Sequence, residues 1–300
     1  MSELSRQHFR LMHRLRVRWG EVDIQRIVFN PHYLAYIDSA FTEYWRALAI
    51  PYESIPQLLG GDIYVKKSTL EFHGSALLDD LLDVGQKCER VGTSSMLFRS
   101  GIFRGDALLV SAELVYVFAD SATQTSKPVP SILRELLQAY EKGVSPVEIR
   151  MGPWSELGEQ ASALRQAVFM DEFRIPLGLA YDAADDESVH ALVSSRLGQV
   201  LATGRLTREG PGLSRIARVA VNRAIRSTGF GRTVVQALVQ LAAERRDTRV
   251  VLSSQCSAQG FYARLGFIAI GEPYIEAGVP HVDMAHVLPA ATTPRVLPEN

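Results

Sequence analysis

Cysteine is scarce in this sequence, and long apolar runs are absent. The 300 residues include two cysteines, Cys88 and Cys256, which lie far apart in different halves and form no CxxC or Cys/His ligand spacing. This usage fits a reducing compartment and argues against a disulfide framework. No run of about 18 apolar residues occurs, and the N-terminus lacks the apolar region of a signal peptide. We therefore expect a cytoplasmic protein that does not span a membrane.

The sequence also lacks an excess of charge of either sign. Its formal net charge is -1, with 22% charged and 47% hydrophobic residues. These values are typical of an ordinary soluble protein and give no overall attraction to nucleic acid or to anionic membranes. Any site for an anionic ligand must therefore be local.

The length of 300 residues is about twice that of a typical domain, so two domains are expected. The clearest boundary is the segment EKGVSP, where Gly143 and Pro146 separate a helix-like pattern from a strand-like pattern. We predict one domain over residues 1–141 and a second over residues 147–290. The Pro-spaced tail, residues 291–300, is predicted to be disordered.

Both halves show an α+β pattern. In the first half, a helix is predicted at 31–49, and its apolar residues cover more than one stripe. A long helix wrapped by a curled antiparallel sheet would bury such a surface. The strands predicted for that sheet lie at 13–19, 61–72, 80–91, 95–104 and 107–119.

The second half has a glycine turn in the middle of its pattern. A helix predicted at 229–245 follows this turn directly, and another is predicted at 155–170. Strands are predicted at 189–194, 198–206 and 215–221, followed by RVVLSS, a short helix and closing strands.

An acid, Asp23, stands shortly before the start of the first long helix. Asn30 is a strong N-cap residue and Pro31 suits the first helical position. The unpaired N–H groups of a helix start can polarise a carbonyl oxygen and stabilise the oxyanion that forms on attack. The Asp23 carboxylate would act as nucleophile or as general base toward water, and the sequence does not separate these roles. The alternative for Asp23 is a plain turn residue.

Four segments of the first half carry a family resemblance: EVDIQRIVFNPHYLAYID, YVKKSTLEFHGSALLDDLLDV, VGTSSMLFRSGIFRG and LVSAELVYVFAD. Over about residues 13–140 they resemble the acyl-CoA thioesterases of the 4-hydroxybenzoyl-CoA thioesterase type, which have the hot-dog fold. The resemblance implies that Asp23 is the catalytic second acid of a D-x-D-like pair, with Glu21 as the first. It implies that the backbone N–H of Asn30 binds the thioester carbonyl. It also implies a homodimer or homotetramer with its sites between subunits.

One position departs from the family pattern. Where the family usually has glycine before the apolar triplet, this chain has Arg26. Glycine permits backbone conformations that other residues resist, and it leaves room for an acyl group. Arg26 would narrow the pocket, pair with Asp23 or mark a site that no longer turns over. Glu43 is the runner-up carboxylate, better explained as a surface residue, and His32 is expected to be half-buried with one hydrogen bond.

The second half contains the motif Arg226-x-x-Gly229-x-Gly231 directly before an apolar helix. Glycines let successive N–H groups turn inward around a pyrophosphate, while the helix dipole and Arg226 or Arg232 add positive charge. A dinucleotide fold would place its glycines after the first strand of a βαβ unit. This turn comes late in its domain, which disfavours NAD.

The motif R-x-x-G-x-G, together with SAQGFYARLGF further along, resembles the GNAT N-acetyltransferases, and AVFMDEF, DDESVHAL and EPYIEAGVPHVDM further resemble their ElaA-like branch. The resemblance covers about residues 147–288 and implies a mixed sheet with flanking helices. It implies that Tyr262, otherwise a core aromatic, protonates the departing CoA thiolate, and that Glu172 and His190 are candidates to accept the amine proton. The strand implied to bind pantetheine through its backbone is Val219, Ala220 and Val221, and the residues implied to receive the pyrophosphate are Arg226, Thr228, Gly229, Phe230, Gly231 and Arg232.

Three further side chains suggest metal ligation at first sight. His281, Asp283 and His286 lie close together in the sequence. On alternating strand positions 281 and 283 share a face, whereas 286 falls on the other face. We therefore predict a closing strand and no metal site.

Both halves imply a CoA thioester as ligand. We predict a bifunctional enzyme in which the first domain hydrolyses acyl-CoA and the second transfers an acetyl group from acetyl-CoA to an amine. Coenzyme A or acetyl-CoA would be a substrate, with no tightly bound cofactor. The contrasting hypothesis is a CoA-ester sensor or scaffold, in which one domain binds without chemistry and serves oligomerisation.

Overall fold

The structure is a computed structural model that describes residues 4–276 and 278–289. The tail predicted to be disordered, 291–300, lies outside the described residues. The chain divides into two compact units, one comprising the residues up to Val147 together with Ser195–Leu197 and the other comprising the remainder. None of the helices in the described ranges is both long and apolar enough to cross a membrane.

The first unit is built from one sheet and the helices that cover it. Its helices are α1 (Pro31–Ala47), α2 (Ile55–Leu59) and α3 (Ser131–Glu141). Its strands are β1 (Leu11–Arg16), β2 (Asp62–Phe72), β3 (Leu81–Val91), β4 (Ser95–Arg104) and β5 (Ala107–Ala119). They form a five-stranded sheet in the order β1-β3-β4-β5-β2, and each neighbouring pair is antiparallel.

Helix α1 lies against this sheet and supplies much of the core. The ring of Phe41 stacks on Tyr116 of β5 at a centroid distance of 4.0 Å and meets Phe98 of β4 edge-on at 5.1 Å. Aromatic side chains bury large areas, so these contacts dominate the packing energy. The helix residues buried in this way are Tyr33, Tyr36, Ile37, Ala40, Phe41, Tyr44 and Trp45. The predicted helix wrapped by an antiparallel sheet is confirmed.

The second unit has a larger sheet. Its helices are α4 (Trp154–Arg165), α5 (Leu177–Ala180), α6 (Ala184–Glu187), α7 (Phe230–Glu244) and α8 (Gln259–Ala263). Its strands are β6 (Val147–Gly152), β7 (Val189–Ser195), β8 (Val200–Gly210), β9 (Leu213–Val221), β10 (Arg249–Gln255), β11 (Ile268–Glu276) and β12 (Val279–Val287).

These strands form a seven-stranded sheet in the order β11-β12-β10-β9-β8-β7-β6. The β9–β10 pair is parallel, whereas β7–β8, β8–β9, β10–β12 and β11–β12 are antiparallel. The mixed sheet implied for this half is therefore confirmed. Helix α7 packs on β8 and β9, since a Cβ added at Gly204 of β8 would lie 2.8 Å from Val234 and 3.1 Å from Leu238.

One predicted helix ends early. The pattern predicts a helix over 155–170, but α4 ends at Arg165 and the chain continues as a π-helical turn over Gln166–Glu172. A π-helical turn is wider than an α-turn and re-aims the side chains that follow. In this turn the re-aimed side chains include Glu172, which reaches Arg226.

Candidate functional sites

Asp23 lies in a tight turn between the bridged residues Val22 and Val28. Its Oδ1 accepts a hydrogen bond from the N–H of Gln25 at 2.8 Å, and its carbonyl oxygen accepts one from the N–H of Arg26 at 2.9 Å. These contacts give Asp23 the turn role that the sequence leaves open. Its Oδ2 accepts no hydrogen bond within the part of the chain that the structure describes, so one carboxylate oxygen stays available for chemistry.

The arginine that replaces the usual glycine has the backbone conformation that glycine prefers. Arg26 has φ +63°, in the left-handed region, where glycine has no steric penalty. Its side chain is exposed, and no ion pair joins it to Asp23 among the described residues. The pairing of Arg26 with Asp23 that the sequence suggests is therefore not formed.

A cleft of about 370 Å³ opens at the start of α1. Asn30 is the N-cap of this helix as predicted, but its side chain makes no capping hydrogen bond because its own backbone is helical, with φ -43° and ψ -44°. Its N–H donates to no group in the described ranges, so this N–H is free to bind a carbonyl oxygen. The cleft is lined by Ile27, Val28, Asn30, Tyr33, Phe72, His73, Gly74 and Ser75, and Asp23 is not among them.

The first acid of the pair has a structural role. Glu21 is buried and accepts hydrogen bonds from the Tyr36 hydroxyl at 2.7 Å and from the Arg18 N–H at 2.8 Å. Burial alone would raise the pKa of Glu21, but the hydrogen bonds from Arg18 and Tyr36 outweigh it and lower that pKa. Glu43 pairs with Arg46 on the helix surface. The residue that sequence analysis missed at the cleft is His73, whose Nε2 lies 2.8 Å from the Ser111 hydroxyl.

In the second unit, β9 and β10 separate partway along their length. They pair only from Arg249↔Leu213 to Val251↔Arg215, although β9 continues to Val221 and β10 to Gln255. No further pairing between them occurs in the described part of the chain. Over its second half, which includes the predicted pantetheine strand 219–221, β9 therefore presents an edge whose main-chain groups do not pair with β10.

The glycine turn leaves several backbone N–H groups without a partner in the described structure. Ser227 has φ +69° and Gly229 has φ +99°, so the residue before Thr228 and the residue after it both have a left-handed backbone conformation. The first helical hydrogen bond of α7 runs from the Thr233 N–H to the Gly229 carbonyl at 3.1 Å. The N–H groups of 230–232 consequently precede the helical ladder and stay unpaired in the described structure. Such a curled start of a helix binds anions.

The polar side chains of the turn are not equivalent. The Thr228 hydroxyl donates to the Ile225 carbonyl at 2.6 Å, so it stabilises the turn itself. Arg232 is exposed and forms no ion pair among the described residues. A Cβ at Gly231 would lie 3.0 Å from Val221 and 3.6 Å from Phe261. The second glycine thus allows α7 to approach β9, and α8 lies beside the same turn.

Tyr262 on α8 is half-buried between Phe261 and Phe267, with ring centroids at 4.9 and 6.0 Å. Burial raises its pKa to about 12. Its hydroxyl has no hydrogen-bond partner within the described ranges, whereas a buried tyrosine hydroxyl usually has one. This unpaired donor, protonated at neutral pH, is suited to a leaving thiolate.

The structure joins two residues that the sequence places in different roles. Glu172 forms two hydrogen bonds with the Arg226 guanidinium, both at 2.6 Å, and the Arg226 Nε donates to the Val221 carbonyl at 3.2 Å. The hydrogen bonds and charge of Arg226 lower the pKa of Glu172. Because a lowered pKa makes a carboxylate a weaker base, this geometry supports positioning of Arg226 by Glu172.

We expect Glu172→Gln to raise the KM for acetyl-CoA by roughly fivefold and to leave kcat nearly unchanged, since it weakens a half-exposed ion pair that holds Arg226. The measurement is steady-state acetyl transfer at varied acetyl-CoA. Asp171→Asn is the matched control, because Asp171 is exposed next to Glu172 and forms no ion pair in the described chain. A kcat that falls by about 10²-fold or more with an unchanged KM would instead make Glu172 the base.

The other predicted base has no free ring nitrogen. His190 is fully buried on β7, its Nδ1 accepts from Arg165 at 3.2 Å and its Nε2–H donates to the Asp185 carbonyl at 2.9 Å. Arginine can only donate, which fixes the neutral tautomer protonated at Nε2. Burial lowers the pKa of His190, which also favours the neutral ring. The histidine therefore organises a buried Arg165–Asp185 ion pair.

The three candidate metal ligands do not converge. Strand register places Asp283 opposite Ser253 and His286 opposite Val250, on different faces of the sheet. The His286 ring packs on Phe267 at 5.2 Å. No group of His, Cys, Asp and Glu side chains that could hold a metal ion exists among the residues described.

Comparison with known proteins matches each half to a family. Residues 159–288 match the acetyltransferase (GNAT) domain family, and residues 25–111 match the thioesterase superfamily. UPF0039 protein sll0451 of Synechocystis is 33% identical over 130 residues, which is 42% of this chain and 84% of that protein.

Two solved structures illustrate the similarity. A putative N-acetyltransferase from Lactobacillus plantarum is 30% identical, covers 48% of this chain and 99% of its own, and superposes with a TM-score of 0.46. A probable thioesterase from Bartonella henselae is 17% identical, covers 40% of this chain and 98% of its own, with a TM-score of 0.38. The hot-dog and GNAT domains predicted from the sequence are confirmed by the family matches.

Proposed function

The chain belongs to the GNAT acetyltransferase family through its second domain and carries a thioesterase-superfamily domain in its first, and we propose that it acts on CoA thioesters with both. The second domain transfers an acetyl group from acetyl-CoA to an amine. The observation that carries this proposal is the separation of β9 from β10 beside the curled start of α7. Together they offer main-chain partners for an amide-bearing arm and N–H donors for its pyrophosphate.

Several predicted residues of the second domain then have a physical task. Main-chain groups of 219–221 hydrogen-bond the pantetheine amides. The N–H groups of 229–232 bind the pyrophosphate, and Arg226 adds positive charge. Tyr262 donates its proton to the CoA thiolate as the C–S bond breaks. Coenzyme A is a substrate in this scheme, and no tightly bound cofactor is needed.

In the first domain, we propose hydrolysis of an acyl-CoA. The Asn30 N–H at the start of α1 binds the thioester carbonyl, and Asp23 attacks it or activates water. Asp23 lies outside the cleft lining of a single chain. We therefore propose a homodimer or homotetramer in which a second hot-dog domain completes the site.

A specific observation favours a second candidate function for this domain. The Asp23 carboxylate is hydrogen-bonded within its own turn, and Arg26 stands where the family usually has glycine. In this alternative the first domain binds an acyl-CoA without hydrolysing it and serves oligomerisation, so that the chain is a CoA-ester sensor or scaffold.

Thiol release distinguishes these functions. Acetyl-CoA and longer acyl-CoAs are incubated with the full chain, with and without an amine, and free CoA is measured with a thiol reagent. Amine-dependent release supports the transferase, and amine-independent release supports the thioesterase. Binding of acyl-CoA without release in the absence of amine supports the sensor, whereas neither binding nor release contradicts the proposal as a whole.

A further inference from the structure

A hydrogen-bonded chain of side chains crosses three neighbouring strands of the second unit. The Tyr274 hydroxyl of β11 lies 2.6 Å from the Ser253 hydroxyl of β10 and donates to Asp283 Oδ1 of β12 at 3.0 Å. The His281 ring of β12 stacks on Tyr274 at 6.3 Å. Tyr274 is 40% exposed, so a ligand can reach its hydroxyl.

This hydrogen-bonded chain of side chains lies where strands β9 and β10 separate. Ser253 stands just beyond Val251, the last β10 residue that pairs with β9, and its register partner on β12 is Asp283. Because side chains alternate along a strand, Ser253 faces the same side as Val251 and its partner Arg215. The proposed acetyl-CoA arm would run between these strands, so the Ser253–Tyr274–Asp283 chain borders the position of its acetyl group.

The transfer reaction needs a proton acceptor that the predicted residues do not supply. An alkyl amine has a pKa near that of lysine, about 10.4, so it arrives as an ammonium ion and must lose a proton before attack. Glu172 is held by Arg226, and both ring nitrogens of His190 are hydrogen-bonded. Neither is free to take that proton.

We propose that the Tyr274 hydroxyl takes the proton of the acceptor amine and passes its own to Asp283. This inference rests on the proposed acetyl transfer. The neutral nitrogen forms a bond to the acetyl carbon, the C–S bond breaks, and the thiolate takes a proton from Tyr262. Asp283 then loses its proton to water, and Tyr262 regains one from water. Tyr274 contacts the substrate, while Ser253 holds the phenol in place.

The charges around the chain indicate the class of amine. Arg215 pairs with Glu209, whereas Arg218 pairs with Asp182, a carboxylate that Arg205 also contacts. Among the described residues, Asp283 forms no ion pair with lysine or arginine, although the charge of Arg215 acts on it. Glu276 lies 3.8 Å from His281 Nε2 and also interacts electrostatically with Arg218. A carboxylate without a direct ion-pair partner, such as Asp283, attracts a cation. In this proposal the acceptor is an alkyl amine, protonated at neutral pH, whose charge the Asp283 carboxylate offsets.

The test compares two amines of similar size in wild type and Tyr274→Phe. Ethylamine is protonated at pH 7, whereas 2,2,2-trifluoroethylamine is largely neutral because fluorine withdraws electrons. With ethylamine we expect kcat to fall by roughly 10²-fold or more in Tyr274→Phe, with the KM for acetyl-CoA unchanged. With trifluoroethylamine the loss should be much smaller, because less deprotonation is needed. Asp283→Asn should reproduce this pattern.

Tyr181→Phe is the matched control, since the Tyr181 hydroxyl donates to the Ser162 carbonyl and has no part in the proposed reaction. Equal losses with both amines in Tyr274→Phe, or no loss with either, would overturn the assignment while leaving acetyl transfer intact. A wild-type protein that binds acetyl-CoA but acetylates neither amine would contradict the proposed transfer itself. Far-UV circular dichroism and acetyl-CoA binding verify that each variant is folded.

Discussion

Replacing Tyr262 by phenylalanine is expected to slow acetyl transfer by roughly 10²- to 10⁴-fold while acetyl-CoA binding is retained. The ring stays between Phe261 and Phe267, so the packing of α8 beside the glycine turn persists. Only the hydroxyl is lost, and with it the proton that would neutralise the departing thiolate. The measurement is kcat and KM for acetyl-CoA with a saturating amine.

The raised pKa of Tyr262 adds a second expectation for the same residue. With a pKa of about 12, the wild-type phenol stays protonated across the neutral and moderately alkaline range. The rate should therefore show no alkaline decline from this residue below about pH 11. Tyr181→Phe again serves as control. A Tyr262→Phe enzyme with normal kcat would show that the thiolate leaves unassisted or that another group protonates it.

Asp23→Asn is expected to remove thioester hydrolysis, with a loss of at least about 10²-fold, because an amide is neither an effective nucleophile nor a base. The fold should survive, since the asparagine Oδ1 can still accept the hydrogen bond from the Gln25 N–H. The measurement is CoA release from acyl-CoA without amine. Acetyl transfer by the second domain should be unaffected.

Glu43→Gln is the comparison variant for Asp23. Glu43 pairs with Arg46 along α1, and exposed pairs at this spacing stabilise a helix only slightly. Hydrolysis should stay within a factor of a few of wild type in this variant. If Glu43→Gln abolished hydrolysis and Asp23→Asn did not, the catalytic carboxylate would be Glu43. A wild-type protein that binds acyl-CoA without releasing CoA would favour a first domain that only binds acyl-CoA. Neither Asp23 nor Glu43 would then be catalytic.

Sequence patterns predicted much of this fold because the relevant signals are local. Strand β4, predicted at 95–104, spans Ser95–Arg104, and α1 begins at Pro31 directly after Asn30 as expected. Alternation of apolar residues sets such strands, and proline at the first turn sets the helix start. The glycine turn is local as well, and Gly229 has the left-handed backbone that its residue type suggests.

Contacts between distant elements escaped prediction. The Glu172–Arg226 pair depends on a π-helical turn that the α-helical period does not reveal. The burial of His190 between Arg165 and Asp185 requires α4, α6 and β7 to meet. The Ser253–Tyr274–Asp283 chain requires the register of three strands, one of which has an irregularity between Ile270 and Tyr274. Residue type and spacing along the sequence do not reveal such contacts between distant elements.

The separation of β9 from β10 affects which substitutions this protein can accept during evolution. Where main-chain N–H and C=O groups recognise a ligand, the amino acids that supply them can be exchanged, provided that the strand keeps its path and its packing. The side chains of Val219 and Val221 lie close to Gly204 and Gly231, so these positions can vary among strand residues of similar size while the proposed main-chain contact is kept. Proline is the exception, because it has no N–H to donate. In the proposed complex, the surface that recognises the ligand is thus inherited as a backbone shape more than as a set of side chains.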